Sequence, residues 1–279
     1  MFHCNDVMPM AASHTLPNTL TIAGSDPSGG AGIQADLKTL SALGTYATSV
    51  ITALTAQNTR GVAGVHPVPA SFITAQLDTL LEDIQVDAVK IGMVASREVA
   101  EVIAKSLMAR RPRWIVLDPV MVAKSGDILV DAAGIAAVRD CLVPLADLIT
   151  PNLPEAAVLL DCPIPRDRAG MEALAPGLRA LSAGRVLLKG GHLPGAACPD
   201  LLIDQDTLTW LEGTRIATQN LHGTGCTLSS AITARLALGD APGDAVTTAK
   251  RWLSQALAAS HCLEVGHGHG PVHHFHAMG

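Results

Sequence analysis

Residues 20–40 read LTIAGSDPSGGAGIQADLKTL, and they give the strongest indication of the fold class. An apolar run at 20–23 is typical of a strand, the glycines at 24–32 indicate a loop, and a helical pattern follows from 33 to 43. The same order recurs along the chain, with further strands predicted at 45–54, 62–66, 88–91, 114–117, 147–150 and 185–188, and helices at 71–84, 97–110, 131–142 and 166–181. This alternation predicts βαβ units, and therefore an α/β fold in which a mainly parallel central sheet is the middle layer of a three-layer α/β/α sandwich.

The composition changes little after residue 19, so we predict a single domain over 19–279. Residues 1–18 have neither a basic start nor a continuous apolar core, and we predict a flexible N-terminal extension rather than a signal peptide. The run 39–59 carries no charge, but about half of it is polar. We therefore predict that it belongs to the core of the domain and not to a membrane.

Charge, aromatic content and cysteine usage argue against several kinds of partner and site. A net charge of −6 and an aromatic content of 3% provide neither a basic surface nor a stacking platform, which argues against a nucleic-acid partner. The six cysteines are scattered without a C-x-x-C pair, so neither a zinc site nor a disulfide framework is predicted, and a cytoplasmic location is favoured. Six histidines lie between His261 and His276, and we interpret them as a packed terminal segment rather than a metal site.

The stretch HGTGCT at 222–227 joins a strand-like segment at 214–221 to a helix-like run at 228–238. The glycines Gly223 and Gly225 let backbone N–H groups approach a ligand where the helix begins, which predicts an anion site. Cys226 would lie in the first helical turn, where the helix dipole lowers the pKa of a thiol, so we expect a thiolate that can accept a proton. The alternative is an ordinary glycine turn with a buried cysteine behind it.

Of two common nucleotide-binding motifs, one is present without its acidic partner and the other does not occur in the sequence. Residues 30–35 match G-x-G-x-x-A between a strand and a helix, but the second strand ends in Gln57-Asn58 and offers no acid for a ribose hydroxyl. A dinucleotide site is therefore disfavoured. No G-x-x-x-x-G-K-[ST] sequence occurs, which excludes a P-loop.

Carboxylates follow two further strands, at Asp118 and at Glu155. Mg²⁺ prefers one or two carboxylates together with phosphates and waters, so this pair could hold a magnesium–nucleotide. Each has an alternative reading, since Asp118 could be a turn residue before proline and Glu155 could cap a helix. Lys189 and two glycines follow the strand at 185–188, and Lys250 lies on the last predicted helix.

Together these stretches resemble the hydroxymethylpyrimidine/phosphomethylpyrimidine kinases of thiamine biosynthesis, members of the ribokinase-like superfamily. The resemblance covers nearly the whole chain, from residue 20 to residue 275, and its most specific motifs are GSDPSGGAGIQADLKT (24–39), KIGM (90–93), LDPVMVAKSG (117–126), ITPNLPEA (149–156), LLKGGH (187–192) and HGTGCTLS (222–229).

The resemblance implies substrate contacts for Gly24 and Asp36, pairing of Gln57 with the amino edge of a pyrimidine, and an apolar pocket wall from Met93 and Val120. For the nucleotide, magnesium and phosphate side it implies a further set of residues: Lys189, Asn152, Thr224 and Lys250 at the nucleotide, Asp118 and Glu155 at the metal, and Gly223 and Gly225 in the anion hole. Cys226 stands where many sugar kinases of this superfamily carry an aspartate base.

The implied activity is ATP- and Mg²⁺-dependent phosphorylation of 4-amino-5-hydroxymethyl-2-methylpyrimidine, and then of its monophosphate to the diphosphate. A pyridoxal or pyridoxine kinase is the nearest alternative, because such kinases phosphorylate a similar ring. A non-catalytic nucleotide-binding regulatory protein is the alternative from another class. The expected partners are the pyrimidine and ATP, with no membrane or nucleic acid, and a homodimer is left open as the assembly state.

Overall fold

The computed structural model describes residues 15–121, 130–181 and 184–278. Its main sheet is built from strands in the order β10-β9-β8-β7-β6-β5-β1-β2, where the ranges are β1 (Asn18–Ala23), β2 (Tyr46–Ile51), β5 (Ala88–Ile91), β6 (Trp114–Leu117), β7 (Leu148–Ile149), β8 (Arg185–Leu188), β9 (Asp200–Ile203) and β10 (Leu208–Leu211). Neighbours from β2 through to β8 are parallel, whereas β9 and β10 are antiparallel. A second sheet contains only β3 (Ala53–Asn58) and β4 (Gly61–Pro67).

Helices cover both faces of the main sheet, which confirms the predicted sandwich. They are α1 (Gly32–Ala42), α2 (Ala70–Asp83), α3 (Arg97–Ala109), α4 (Ala132–Ala137), α5 (Leu153–Leu160), α6 (Arg168–Ala173), α7 (Ala175–Leu181), α8 (Thr224–Ala237) and α9 (Pro242–Ala258). One buried cluster joins the sheet to α2, α3 and α5, and another joins it to α8 and α9. Successive side chains of a strand point to opposite faces of the sheet. On β6, Ile115 and Leu117 therefore pack into the first cluster and Val116 into the second. In the described residues no helix is long and apolar enough to cross a membrane.

Several predicted elements need correction. The predicted strand at 45–54 is interrupted, and β3 leaves the main sheet to pair with β4 as a hairpin. Residues 214–221 do not form a strand, apart from a single bridge between Thr214 and Ala197. The predicted helix at 166–181 is divided into α6 and α7, and the antiparallel strands β9 and β10 were not predicted.

Two predictions lie wholly or partly outside the described residues. Residues 1–14 of the proposed N-terminal extension are not described, and β1 begins at Asn18, one residue before the predicted start of the domain. Residues 122–126 of the motif at 117–126 are not described either. The division into an extension and one domain stays a prediction.

The strand order explains where a ligand can bind. From β1 the chain moves to β2 on one side of the sheet, and later to β5 on the other side of β1. Adjacent crossovers that run in opposite directions leave a crevice at the carboxyl ends of these strands. The loops after β1 and β5 carry Gly24 and Met93 to this crevice.

Candidate active site

A cavity of about 660 Å³ opens at the carboxyl edge of the main sheet. Its wall includes residues that follow successive parallel strands and others from the start of α8: Gly24, Met93, Asp118, Asn152, Lys189 and Gly223. The polar residues predicted from strand ends therefore meet in one place. Val120, Thr224, Gly225, Cys226 and Lys250 also line the cavity.

The turn before α8 requires glycine. Gly223 has φ +75°, and a Cβ on this residue would lie 1.8 Å from the carbonyl oxygen of Gly30. The two glycine loops are thus in direct backbone contact, and α8 begins at Thr224. A Cβ on Gly225 would lie 3.3 Å from Asp118 Oδ2 and 3.5 Å from Lys189 Nζ. The N-terminus of α8, with its positive dipole end, therefore faces a carboxylate and an ammonium.

Cys226 is the third residue of α8, as predicted, but its thiol is not acidic. Burial in the recessed cavity raises the pKa of Cys226 to about 11, although the Lys90 ammonium and the backbone N–H of Gly32 favour the thiolate. Negative charge on Asp36 and Asp118 adds to the effect of burial. The prediction of a lowered thiol pKa is therefore wrong for the protein without substrates, because desolvation outweighs the helix dipole.

Asp118 and Lys189 form an ion pair at the centre of the cavity edge. Lys189 Nζ lies 3.0 Å from Asp118 Oδ1, which also accepts a hydrogen bond from Thr150 Oγ1 at 3.1 Å. Burial lowers the pKa of Lys189, but attraction to Asp118 and Glu155 outweighs burial and raises it. Asp118 Oδ2 is buried and has no hydrogen-bond partner within the described structure. This atom can accept a cation or a donor from a ligand.

Glu155 is buried behind the same edge, at the N-terminus of α5. Asn152 caps the helix, because its side chain accepts from the Glu155 N–H at 2.8 Å and Glu155 Oε2 accepts from the Asn152 N–H at 2.8 Å. Burial raises the pKa of Glu155 to about 7, with Asp118 adding to the rise and Lys189 opposing it. The capping alternative is confirmed for Glu155. The charges of Asp118 and Lys189 still act on its carboxyl group.

Asp36 does not line the cavity, which contradicts its predicted role as a substrate contact. Its carboxylate is fully buried beneath the site and accepts hydrogen bonds from three side chains: Lys90 at 2.8 Å, Thr21 at 2.6 Å and Ser230 at 2.8 Å. Burial lowers the pKa of Lys90, but attraction to Asp36, Cys226 and Asp118 outweighs burial and raises it. The physical role of Asp36 is to hold the ammonium of Lys90 under the cavity floor.

Lys250 lines the cavity, but its ammonium is fully used by the protein. Its Nζ donates to Asp200 Oδ2 at 2.6 Å, to the Leu211 carbonyl at 2.9 Å and to the Cys198 carbonyl at 3.1 Å. An ammonium has three protons, so these bonds exhaust its donors. In this conformation the ammonium ties α9 to β9 and β10, and the predicted contact of Lys250 with a nucleotide stays a prediction.

The other wall of the cavity comes from the β3–β4 hairpin, which contributes Thr55, Gln57 and Val62. Gln57 thus lines the cavity as predicted, although it lies on the hairpin and not at the end of a main-sheet strand. Across from it, a Cβ on Gly24 would lie 2.8 Å from the Met93 side chain, so these two residues form one continuous surface.

The predicted site residues did not include Asp26 and His222, which also line the cavity. His222 Nε2 lies 2.7 Å from Asp26 Oδ2 and 3.4 Å from Gln57 Nε2. A carboxylate only accepts, so Nε2 directs its proton to Asp26, and the NH₂ group of Gln57 keeps its protons for a ligand. Burial raises the pKa of Asp26, but hydrogen bonds from His222 and Ser28 outweigh it and lower the pKa. Both residues lie within the quoted motifs, so the motifs themselves were the available signal.

Comparison with known proteins agrees with this geometry. Residues 26–273 match the family model described as phosphomethylpyrimidine kinase. The hydroxymethylpyrimidine/phosphomethylpyrimidine kinase of Escherichia coli (strain K12) is 52% identical over 260 residues, which cover 93% of this chain and 98% of that protein.

Two solved structures extend the comparison to the fold. Phosphomethylpyrimidine kinase from Clostridium difficile 630 superposes with a TM-score of 0.77 at 43% identity, covering 86% of this chain and 99% of the other. Pyridoxal kinase from Staphylococcus aureus, in complex with AMP-PCP and pyridoxal, superposes with a TM-score of 0.85 at 33% identity, covering 94% of each chain. The family match and the sequence identity place this chain: it belongs to the phosphomethylpyrimidine kinase family.

Proposed function

We propose that this protein transfers the γ-phosphoryl group of ATP to the hydroxymethyl group of 4-amino-5-hydroxymethyl-2-methylpyrimidine, and then phosphorylates the monophosphate to the diphosphate. Its relatives of thiamine biosynthesis carry the name of both activities. The observation that carries the proposal is the meeting of the α8 N-terminus with the Asp118–Lys189 pair in one cavity. Phosphoryl transfer depends mainly on positioning and on charge stabilisation, and this arrangement supplies both.

The nucleotide side of the cavity is the proposed role of Lys189, Asn152 and Thr224. Lys189 donates to Asp118, and an ammonium has three protons, so it keeps donors for phosphate oxygens. Thr224 is the first residue of α8, and the positive dipole end of a helix favours an anion there. These groups would hold the phosphates while the turn at Gly223 and Gly225 holds the group being transferred.

Magnesium fits the carboxylates at this edge. Among the described residues, Asp118 Oδ2 is buried without a hydrogen-bond partner, and a bound cation would offset the burial that raises the pKa of Glu155. In the part of the chain that the structure describes, no group of three or more His, Cys, Asp or Glu residues could hold a metal, so phosphate oxygens and water would complete the coordination. Bound there, Mg²⁺ would neutralise charge on the phosphates.

The pyrimidine would occupy the side formed by Gly24, Met93, Val120 and Gln57. The ring is flat and mostly apolar, which suits the Gly24–Met93 surface, and the Gln57 amide can both accept from an exocyclic amine and donate to a ring nitrogen. Pyridoxal has a similar shape and also carries a hydroxymethyl arm. The structural similarity to a pyridoxal kinase makes it the competing substrate to test.

The deciding experiment incubates the purified protein with ATP, Mg²⁺ and either the pyrimidine or pyridoxal, and follows the products by mass spectrometry. We expect the monophosphate of the pyrimidine first and then the diphosphate, with a much higher kcat/KM for the pyrimidine than for pyridoxal. Preference for pyridoxal would replace the proposed substrate. Absence of ATP consumption with either ring would support a regulatory nucleotide-binding protein instead.

A cytoplasmic location and a homodimer stay predictions. Analytical ultracentrifugation of the purified chain, with and without ATP, measures its oligomeric state directly.

A further inference from the structure

The wall of the cavity formed by β3 and β4 is a hairpin with little support of its own. We call residues 53–67 the flap. Its base is joined to the glycine loop, since the Ser25 N–H donates to the Ala53 carbonyl at 2.9 Å and Thr55 Oγ1 donates to the Ser25 carbonyl at 2.8 Å. An isolated two-stranded hairpin is marginally stable in water. The far end of the flap therefore needs another attachment to stay over the cavity.

That attachment comes from residues 266–272, which we call the C-terminal strap. The His269 N–H donates to the Thr59 carbonyl at 2.9 Å, and the Gly268 N–H donates to Thr59 Oγ1 at 3.1 Å. Thr59 is at the tip of the flap, 209 residues away from Gly268 in sequence. A Cβ on Gly268 would lie 2.1 Å from the Thr59 carbonyl oxygen and 2.9 Å from the Arg60 nitrogen, so the two backbones are in direct contact.

The other end of the strap is joined to the turn before α8. The His222 N–H donates to the Gly270 carbonyl at 3.0 Å, and His222 pairs with Pro271 as an isolated parallel bridge. Gly270 packs against Asn220, where a Cβ would lie 2.0 Å from the side-chain oxygen. Residues 270–272 are buried, whereas residues 266–269 are exposed. The strap is thus anchored at the active-site turn and extends from it to the flap.

We infer that the strap is a positioning element for the ring-binding side of the site, with Thr59 and Gly268 as its positioning residues. Through Thr59 it holds the flap tip, two residues beyond Gln57, and through His222 it holds the side chain that contacts the Gln57 amide. This inference rests on the proposed function for the identity of the ring. It accounts for the run of glycines at 266, 268 and 270, because each one is packed against a neighbour that a side chain would displace.

The first test compares Gly268→Ala with Gly243→Ala. Gly268 does not have a positive φ, so alanine disturbs only the contact with the flap, whereas Gly243, on α9, has nothing within 4 Å of the added Cβ. We expect hydrogen–deuterium exchange over residues 53–67 to become faster in Gly268→Ala and to stay unchanged in Gly243→Ala. If the closed flap falls to about a tenth of the population, the KM for the pyrimidine rises about tenfold, while kcat and the KM for ATP change little.

The second test removes one hydrogen bond without adding bulk to the strap. Thr59→Val deletes the hydroxyl that accepts from Gly268, and Thr59→Ser keeps it. We expect faster flap exchange and a higher pyrimidine KM in the valine variant, with recovery in the serine variant. Equal flap exchange and equal pyrimidine KM in Gly268→Ala, Gly243→Ala and the wild type would overturn the inference, as would equal behaviour of the valine and serine variants.

The exchange measurement separates this inference from the proposed function. It needs no substrate, so a difference between Gly268→Ala and Gly243→Ala supports the flap attachment even if the wild type phosphorylates another ring. In the converse case, the wild type phosphorylates the pyrimidine while Gly268→Ala and Gly243→Ala exchange at equal rates over the flap. That result supports the proposed function and overturns the role of the strap.

Discussion

Asp118 and Lys189 follow main-sheet strands and Glu155 lies in the first turn of α5, all buried or half-buried, whereas Gln57 lies on an exposed hairpin that the C-terminal strap holds in place. The first group forms the phosphate side of the cavity, and each of its members follows a main-sheet strand along the chain. The second forms the ring side and depends on contacts between residues that are distant in sequence. We therefore expect changes on the phosphate side to reduce turnover and changes on the ring side to reduce affinity.

The largest effect is expected for Cys226→Ala, at the boundary between the two sides. If Cys226 takes the proton of the attacking hydroxyl, kcat falls by about 10²- to 10⁴-fold with little change in ring affinity. With the thiol pKa at about 11, the thiolate fraction rises with pH. The wild-type kcat should therefore rise above pH 8, and the variant should lose this rise.

The control is Cys262→Ala, which removes an exposed thiol. A thiol that only packs against the ring gives the opposite result, with weaker ring binding and nearly unchanged kcat. Cys226 should also react slowly with iodoacetamide at neutral pH, because only the thiolate is alkylated. Faster alkylation of Cys226 than of Cys262 at pH 7 would contradict the raised pKa.

Asp118→Asn tests the phosphate side directly. Asparagine keeps the shape, but it can place an NH₂ group where Asp118 has its unpartnered Oδ2, and it removes the charge that attracts Mg²⁺ and Lys189. We expect kcat to fall by about 10²- to 10³-fold and the Mg²⁺ requirement to rise. The measurement is a Mg²⁺ titration of activity, with the exposed Asp83→Asn as control. Wild-type activity at limiting Mg²⁺ would remove Asp118 from the metal assignment.

The phosphate side was largely predictable from sequence because its physics is local. A buried strand followed by a polar residue places that residue at the carboxyl edge of a parallel sheet, and this rule located Asp118, Asn152 and Lys189. The resemblance implied a substrate contact for Asp36, but Asp36 lies on α1 and faces down to Lys90. Sequence position could not reveal that this carboxylate is occupied by three donors.

The ring side was only partly predictable because it is built from long-range contacts. The resemblance named Gln57, but the glycine pattern at 266–270 does not reveal that it packs on Thr59. The desolvation of buried groups is the other property that the sequence does not reveal. The helix dipole at Cys226 can be inferred from sequence, whereas the burial that reverses its effect depends on the surrounding fold.

Glu155→Gln tests how much the buried charge of Glu155, on the phosphate side, lowers the free energy of unfolding. Burial raises the pKa of Glu155 from 4.5 to about 7, so between these values the folded protein keeps a proton that the unfolded chain has lost, and stability falls as pH rises. Glutamine can keep the helix cap without a charge. We expect equal stability near pH 4.5 and a gain of up to about 3 kcal/mol above pH 7, measured by urea unfolding. The exposed Glu82→Gln is the control for the substitution itself, and a stability difference between Glu155→Gln and the wild type that does not change with pH would contradict the raised pKa.

Gln57→Leu has the smallest expected effect, and it tests the ring side of the comparison. Leucine has similar bulk but lacks the amide, so a ring amine or nitrogen is left unpaired at a loss of about 1–3 kcal/mol. Pyrimidine affinity measured by calorimetry should therefore fall about 5- to 150-fold. The affinity for ATP serves as the internal control, because Lys189 and the start of α8 are unchanged in this variant. Unchanged pyrimidine affinity would remove Gln57 from the ring site, and a fall in kcat without a loss of affinity would show that the flap also acts on the phosphate side.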